Sequence, residues 1–135
     1  MGYVNISFKD IKRALIIIKL KSDIFPKLND LINFSKDISK ILESKLLDSC
    51  YTEFPSDINN NTRNYTLLFV LSTSHIAIST YFSTNEKYID IEISWCSGAN
   101  LDKDILLPII NKYFGDCEVY VKILDSHGNV IKEFN

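Results

Sequence analysis

Apolar residues recur along this chain in two rhythms, one of strand length and one of helical spacing, and together they give an element order. Arg13 to Leu20 is a continuous Ile-rich run and reads as a strand buried on both sides. After Lys21-Ser22-Asp23, Ser22 or Asp23 can cap a helix with Pro26 in its first turn. Ile24, Leu28, Leu31, Ile38, Ile41 and Leu42 then follow at helical spacing towards Leu47. Cys50 to Phe54 reads as a short strand, and Pro55 to Asn64, with its asparagines, as a polar loop. Tyr65 to Leu71 and His75 to Tyr81 read as two strands joined by Ser72-Thr73-Ser74. Tyr88 to Cys96 alternates cleanly, with Ile89, Ile91, Ile93 and Trp95 on one face and Tyr88, Asp90, Glu92, Ser94 and Cys96 on the other. Asp102 to Phe114 carries Ile105, Leu106, Ile109, Ile110 and Tyr113 at helical spacing, with a kink expected at Pro108 and a stop at Gly115. Glu118 to Leu124, a Ser126-His-Gly-Asn129 turn and an edge strand Val130 to Phe134 close the chain. This order predicts an α+β fold, a mostly antiparallel sheet with two helices on one face, and a single domain over residues 1–135.

Composition narrows the partners. Apolar residues make up 46% of the 135 residues and aromatics 12%, enough for one core. The 15 Lys and Arg nearly balance the 17 Asp and Glu, and the net charge of -2 gives no reason to expect nucleic acid. The longest apolar run, Ala14 to Ile18, is far short of the ~20 residues of a bilayer span, so no membrane segment is expected. The start, Met1 to Ser7, shows neither a leader pattern nor a myristoylation signal. Three widely spaced cysteines, Cys50, Cys96 and Cys117, fit reduced thiols, and a cytoplasmic protein is the expectation. The sequons at Asn5, Asn60 and Asn64 would then go unread.

Chemistry-bearing residues concentrate where Ser72-Thr-Ser-His75 joins two apolar strands, and loops held by rigid strands are where sites tend to be built. Adjacent residues on an extended chain point to opposite faces, so Ser74 and His75 are not expected to act on each other. His127 sits in a turn, and no Asp-His-Ser arrangement follows from spacing. The cysteines and histidines show no CxxC or HxxxH spacing, so no metal is predicted. Gly98 and Gly115 are isolated, which excludes a phosphate loop or dinucleotide fingerprint. Asp90 and Glu92 read as solvated charges on the outer face of their strand.

The stretches Leu71-Ser-Thr-Ser-His-Ile-Ala-Ile-Ser-Thr80 and Tyr88-Ile-Asp-Ile-Glu-Ile-Ser-Trp-Cys-Ser-Gly98 resemble the short bacterial and archaeal form of S-adenosylmethionine decarboxylase. The resemblance extends over residues 13 to 125, and its specific matches are the Ser-His pair and the cysteine. It implies a self-cleaving, pyruvoyl-dependent enzyme of spermidine and polyamine biosynthesis. Cleavage would fall between Thr73 and Ser74, and Ser74 would become the pyruvoyl cofactor, which forms a Schiff base with S-adenosylmethionine. Cys96 matches the residue that reprotonates the product carbon. Thr66 matches a hydroxyl that helps processing, and Glu86 is the nearest counterpart of a substrate-binding acid. The resemblance further implies a homodimer whose sheets face each other in an α/β/β/α sandwich, with sites at the interface.

Two positions depart from the family pattern. Thr73 stands where the family has glutamate, and Ser79 where it has a second histidine that assists processing. A serine is no base near neutral pH, so this change alone would slow elimination by roughly a hundredfold. Two alternatives accompany the enzyme reading: an unprocessed, non-catalytic paralogue acting as a binding or regulatory partner, and a pyruvoyl decarboxylase of a basic amino acid such as ornithine or arginine.

Overall fold

A computed structural model describes residues 7–135, so the start of the chain, read above for a leader or lipid signal, and the sequon asparagine Asn5 lie outside the described residues. After a 3-10 turn at Phe8–Asp10 come β1 (Lys12–Leu20), α1 (Leu28–Ile41), β2 (Leu46–Pro55), β3 (Arg63–Leu71), β4 (Ser74–Phe82), β5 (Lys87–Trp95), α2 (Lys103–Phe114), β6 (Cys117–Leu124) and β7 (Val130–Phe134). All seven strands form one sheet in the order β2-β3-β4-β5-β1-β6-β7, and every neighbouring pair is antiparallel. The fold class is α+β, as the alternation of strand and helix periods predicts.

Register explains which face is core. Phe69, Ile76, Ile93, Ala14 and Ile123 lie side by side across β3, β4, β5, β1 and β6. All five are buried, together with Leu31, Phe34 and Ile38 of α1 and Leu106, Ile110 and Phe114 of α2. The two helices therefore cover one face of the sheet, and Phe34 and Phe114 meet between them with ring centroids 5.1 Å apart. The next row, Leu68, Ala77, Glu92, Leu15 and Lys122, faces away from the helices.

β1 is consequently not buried on both sides as its unbroken apolar run suggests. Ala14, Ile16, Ile18 and Leu20 are buried, but Leu15 and Ile17 are each 38% exposed, because no element among the described residues covers the second face. Helix α1 also starts later and ends earlier than helical spacing predicts. Ile24 stays outside it, 81% exposed, while Phe25 leaves to stack against Phe82, 5.0 Å between centroids. The residue before a proline avoids helical backbone, so Phe25-Pro26 delays the start to Leu28. There the Lys27 N–H donates to the Asp30 carboxylate at 2.9 Å, a side chain closing the first turn. Glu43, in the left-handed region at φ 54°, turns the chain out of the helix and towards β2. β2 itself runs ten residues rather than the five expected, because its pairing with β3 continues past Cys50 and Phe54 in both directions.

Candidate functional site

The β3–β4 junction is tighter than its sequence suggests. Leu71 and Ser74 already pair, so Ser72 and Thr73 alone make the turn, and neither adopts positive φ. Two-residue hairpins favour primed turns that need positive φ, so this one relies on outside support. The segment after α1 supplies it. Ser72 N–H donates to the Lys45 carbonyl at 2.8 Å, and Lys45 N–H donates to Ser72 Oγ at 2.9 Å. Thr73 N–H and Oγ1 both donate to Ser44 Oγ, at 3.2 and 2.9 Å, and Ser44 and Ser72 share a further bond of 3.2 Å. Nothing in the local pattern singles out Ser44; only the return of the chain from α1 places it under the turn.

Beyond β5 the chain closes on the same turn from the other side. Ser97 Oγ donates to the Leu42 carbonyl at 2.7 Å, and Cys96 Sγ donates to the carbonyl oxygen of Thr73 at 2.8 Å. Burial, with a smaller push from the charge of Asp10, raises the Cys96 thiol above its ordinary value, so at neutral pH it is a protonated donor. That carbonyl belongs to the Thr73–Ser74 peptide bond.

Ser74 and His75 do not diverge as an extended chain would require. Ser74 is the first residue of β4, paired with Leu71 at the turn, and its Oγ lies 3.4 Å from His75 Nδ1. On the far side of the ring, His75 Nε2 is 4.0 Å from Glu92 Oε1. Both spacings are long for hydrogen bonds, yet serine, imidazole and carboxylate fall in line across β4 and β5. Glu92 thus joins a constellation in which the alternation of β5 had given it only solvent.

Thr66 and Ser79 are paired across β3 and β4, far from the turn. Ser79 is five residues from Ser74 along one strand, about 17 Å. Together with Glu86, Asn64, Tyr81 and Phe82 they line a cavity of 350 Å3 at the other end of the sheet. Asn64 shapes it. Its Oδ1 accepts from Phe82 N–H at 2.7 Å and Thr80 Oγ1 at 2.9 Å, and its Nδ2 donates to the Phe82 carbonyl at 2.9 Å. Within one chain, the candidate residues therefore form two groups: Thr73, Ser74, His75 and Cys96 at the turn, and Thr66, Ser79 and Glu86 in the cavity.

Towards the β7 side of the same open face lies a larger cavity of 680 Å3, bordered by Leu15, Ile17, Asp90, Glu92, Tyr120 and Phe134. Burial first, and then the neighbouring Glu92 charge, push the Asp90 carboxyl above the usual carboxylate range. Asp90 sits directly across from Ser79 in the β4–β5 register. Asp90 is exposed on the outer face of β5, as the alternation predicts. Among the described residues, no helix is long and apolar enough to cross a membrane, and no three His, Cys, Asp or Glu side chains gather as a metal site. No protein-family model matches this chain, and no curated protein matches it.

Proposed function

We propose that this chain is a self-cleaving proenzyme of the S-adenosylmethionine decarboxylase kind, cut between Thr73 and Ser74, acting as a homodimer in polyamine synthesis. The observation that carries the reading is the Cys96 thiol on the Thr73 carbonyl, 2.8 Å away and protonated. Self-cleavage begins when Ser74 Oγ attacks that carbonyl carbon and negative charge develops on the oxygen. A donor already aimed at the oxygen stabilises that charge. His75 Nδ1, 3.4 Å from Ser74 Oγ, is the nearest acceptor for the hydroxyl proton, and Glu92 stands behind the ring. Collapse moves the acyl group from nitrogen to oxygen. Elimination of the ester then frees the Thr73 carboxylate, and addition of water with loss of ammonia leaves a pyruvoyl group at position 74. When present, that group supplies an electrophilic carbonyl and an electron sink for decarboxylation of an amine substrate.

The separation of the two residue groups supports the dimer. Thr66 and Ser79 lie about 17 Å from Ser74 in one chain, with Glu86 farther off beyond the end of β4, and His75, Thr66 and Ser79 belong to the sheet face that no described helix covers. Leu15, Ile17, Leu68, Val70, Tyr81 and Tyr120 on this face are 38 to 51% exposed. A second copy stacked sheet to sheet would bury them. An antiparallel two-fold arrangement would also bring the cavity group of one copy towards the turn of the other. In that arrangement Ser79 lacks a basic nitrogen, and Asp90, its cross-strand neighbour, offers a carboxylate of raised proton affinity in its place. Glu86 would hold the substrate's cation.

Intact mass of the purified protein tests the reading. The expected result is two fragments, residues 1–73 and a pyruvoyl-blocked 74–135, with Ser74→Ala giving one full-length chain. A wild-type chain that stays whole over days of incubation would refute self-cleavage and leave the unprocessed paralogue as the reading. With cleavage established, release of carbon dioxide from S-adenosylmethionine, compared with ornithine and arginine, identifies the substrate.

A further inference from the structure

Among the described residues the outer edge of β2 is open, while its inner edge borders the cavity group, Thr52 pairing with Thr66 and Phe54 lining the cavity. β2 pairs only with β3 among the described residues, and every position from Leu47 to Pro55 is exposed. Alternate residues of such a strand turn N–H and C=O groups outward as a template for another chain. Edges are ordinarily blunted by lysine, internal proline, shortness or a covering helix. The opposite edge follows that rule: β7 is five residues long and carries Lys132. β2 has ten residues, no lysine, and proline only at its last position.

Beside this edge, on the helix side, a cavity of 350 Å3 opens between Ile32 of α1 and Tyr51, Leu67 and Phe69 of β2 and β3. Leu67 and Phe69 are core residues, so its floor is apolar. Charge selects the occupant. The two charges of β2 are Asp48 and Glu53; Glu53 is paired with Arg63 at 3.0 Å, while Asp48 meets no cation among the described residues. A second copy fits poorly. Antiparallel β2–β2 pairing over the full ten residues sets Asp48 opposite Glu53, and like charges directly opposed destabilise a ladder.

We propose that β2 accepts an added antiparallel strand from a partner protein. The partner segment is an extended peptide with Lys or Arg opposite Asp48 and a large aliphatic side chain seated in the cavity formed by Ile32, Tyr51, Leu67 and Phe69. Main-chain hydrogen bonds supply affinity in such recognition, and the side-chain pocket supplies selectivity. This inference does not depend on self-cleavage.

The probe is the blocked peptide acetyl-Lys-Thr-Leu-Thr-Val-Lys-amide, whose register places lysines opposite Glu53 and Asp48 and Leu and Val on the helix side. Titrated into the 15N- and methyl-labelled full chain, it is expected to give saturable shifts at the amides of Ser49, Tyr51 and Glu53 and the methyls of Ile32 and Leu67, with a midpoint below about 1 mM. Replacing the peptide leucine by glycine, or filling the cavity with Ile32→Trp, should weaken binding by about tenfold or more. Asp48→Lys should weaken it by about threefold. Asp48 is on the surface, so that variant keeps the test sharp if Ile32→Trp fails to fold. The proposal is overturned by shifts that do not saturate, by equal binding of the glycine peptide, or by shifts confined to Leu15, Ile17 and Tyr120. Concentration-dependent shifts at the β2 amides without peptide would assign the edge to a second copy and overturn it too.

Discussion

Removing the Ser44 hydroxyl tests whether the Thr73–Ser74 turn is held from outside rather than by its own conformation. Ser44 is 8% exposed, and its Oγ takes part in three hydrogen bonds to the turn, with Thr73 N–H, Thr73 Oγ1 and Ser72 Oγ. A neutral hydrogen bond contributes about 0.5–1.5 kcal/mol net, and a buried donor left unpaired costs about 1–3 kcal/mol. The two hydroxyls can rotate towards water or other partners, so most of the loss falls on the Thr73 N–H, which cannot. Ser44→Ala should therefore destabilise the fold by about 2 kcal/mol, and lower the melting temperature by about 6–8 °C. Urea unfolding followed by circular dichroism at constant m-value measures it. The same variant should also slow any Thr73–Ser74 cleavage, because the carbonyl no longer stays fixed against Cys96. Stability within about 0.5 kcal/mol of wild type, the range of ordinary surface substitutions, would show that the turn keeps its shape unaided and refute the argument.

Two further outcomes follow from named contacts. If the chain cleaves, Cys96→Ala should slow the cut by about a hundredfold, the loss expected for one oxyanion donor, whereas Cys96→Ser, whose hydroxyl can donate to the same oxygen, should stay much closer to wild type; intact mass against time reads both. The Asp37 carboxyl, held below its ordinary 3.8 chiefly by the Tyr113 hydroxyl and next by Lys112, should titrate nearer 3.8 in Tyr113→Phe. A carboxyl lowered in the folded state stabilises above pH 3.8 and loses that contribution as pH falls through its folded value, so the variant should flatten the acid limb of stability, with carboxyl NMR as the direct readout.

Much of the fold was legible because burial on one face imposes a period. The alternation of Tyr88 to Cys96 reappears in β5, the edge strand Val130 to Phe134 is β7, and Gly115, at φ 70°, ends α2 where its position predicts. Errors arose where long-range partners override local preference. Helical spacing carried α1 back to Ile24, but Phe25 is drawn to Phe82 across the fold and the helix waits until Leu28. The run in β1 reads as doubly buried because Leu15 and Ile17 are as apolar as their neighbours, and a sequence does not say whether a second layer exists to cover them.

The site divides in the same way. Sequence by itself determined that Ser74 and His75 stand at a junction between strands and that Cys96 ends another strand, since both follow from polar residues interrupting apolar runs. Only tertiary structure decided that the Cys96 thiol meets the Thr73 carbonyl and that Ser44 braces the turn from 29 residues away. It also set Ser74 beside His75 and separated Thr66 and Ser79 from them. The physical reason is that side-chain periodicity reports which face a residue occupies, whereas contacts between turns depend on strand order, and that order is fixed by how the whole core packs.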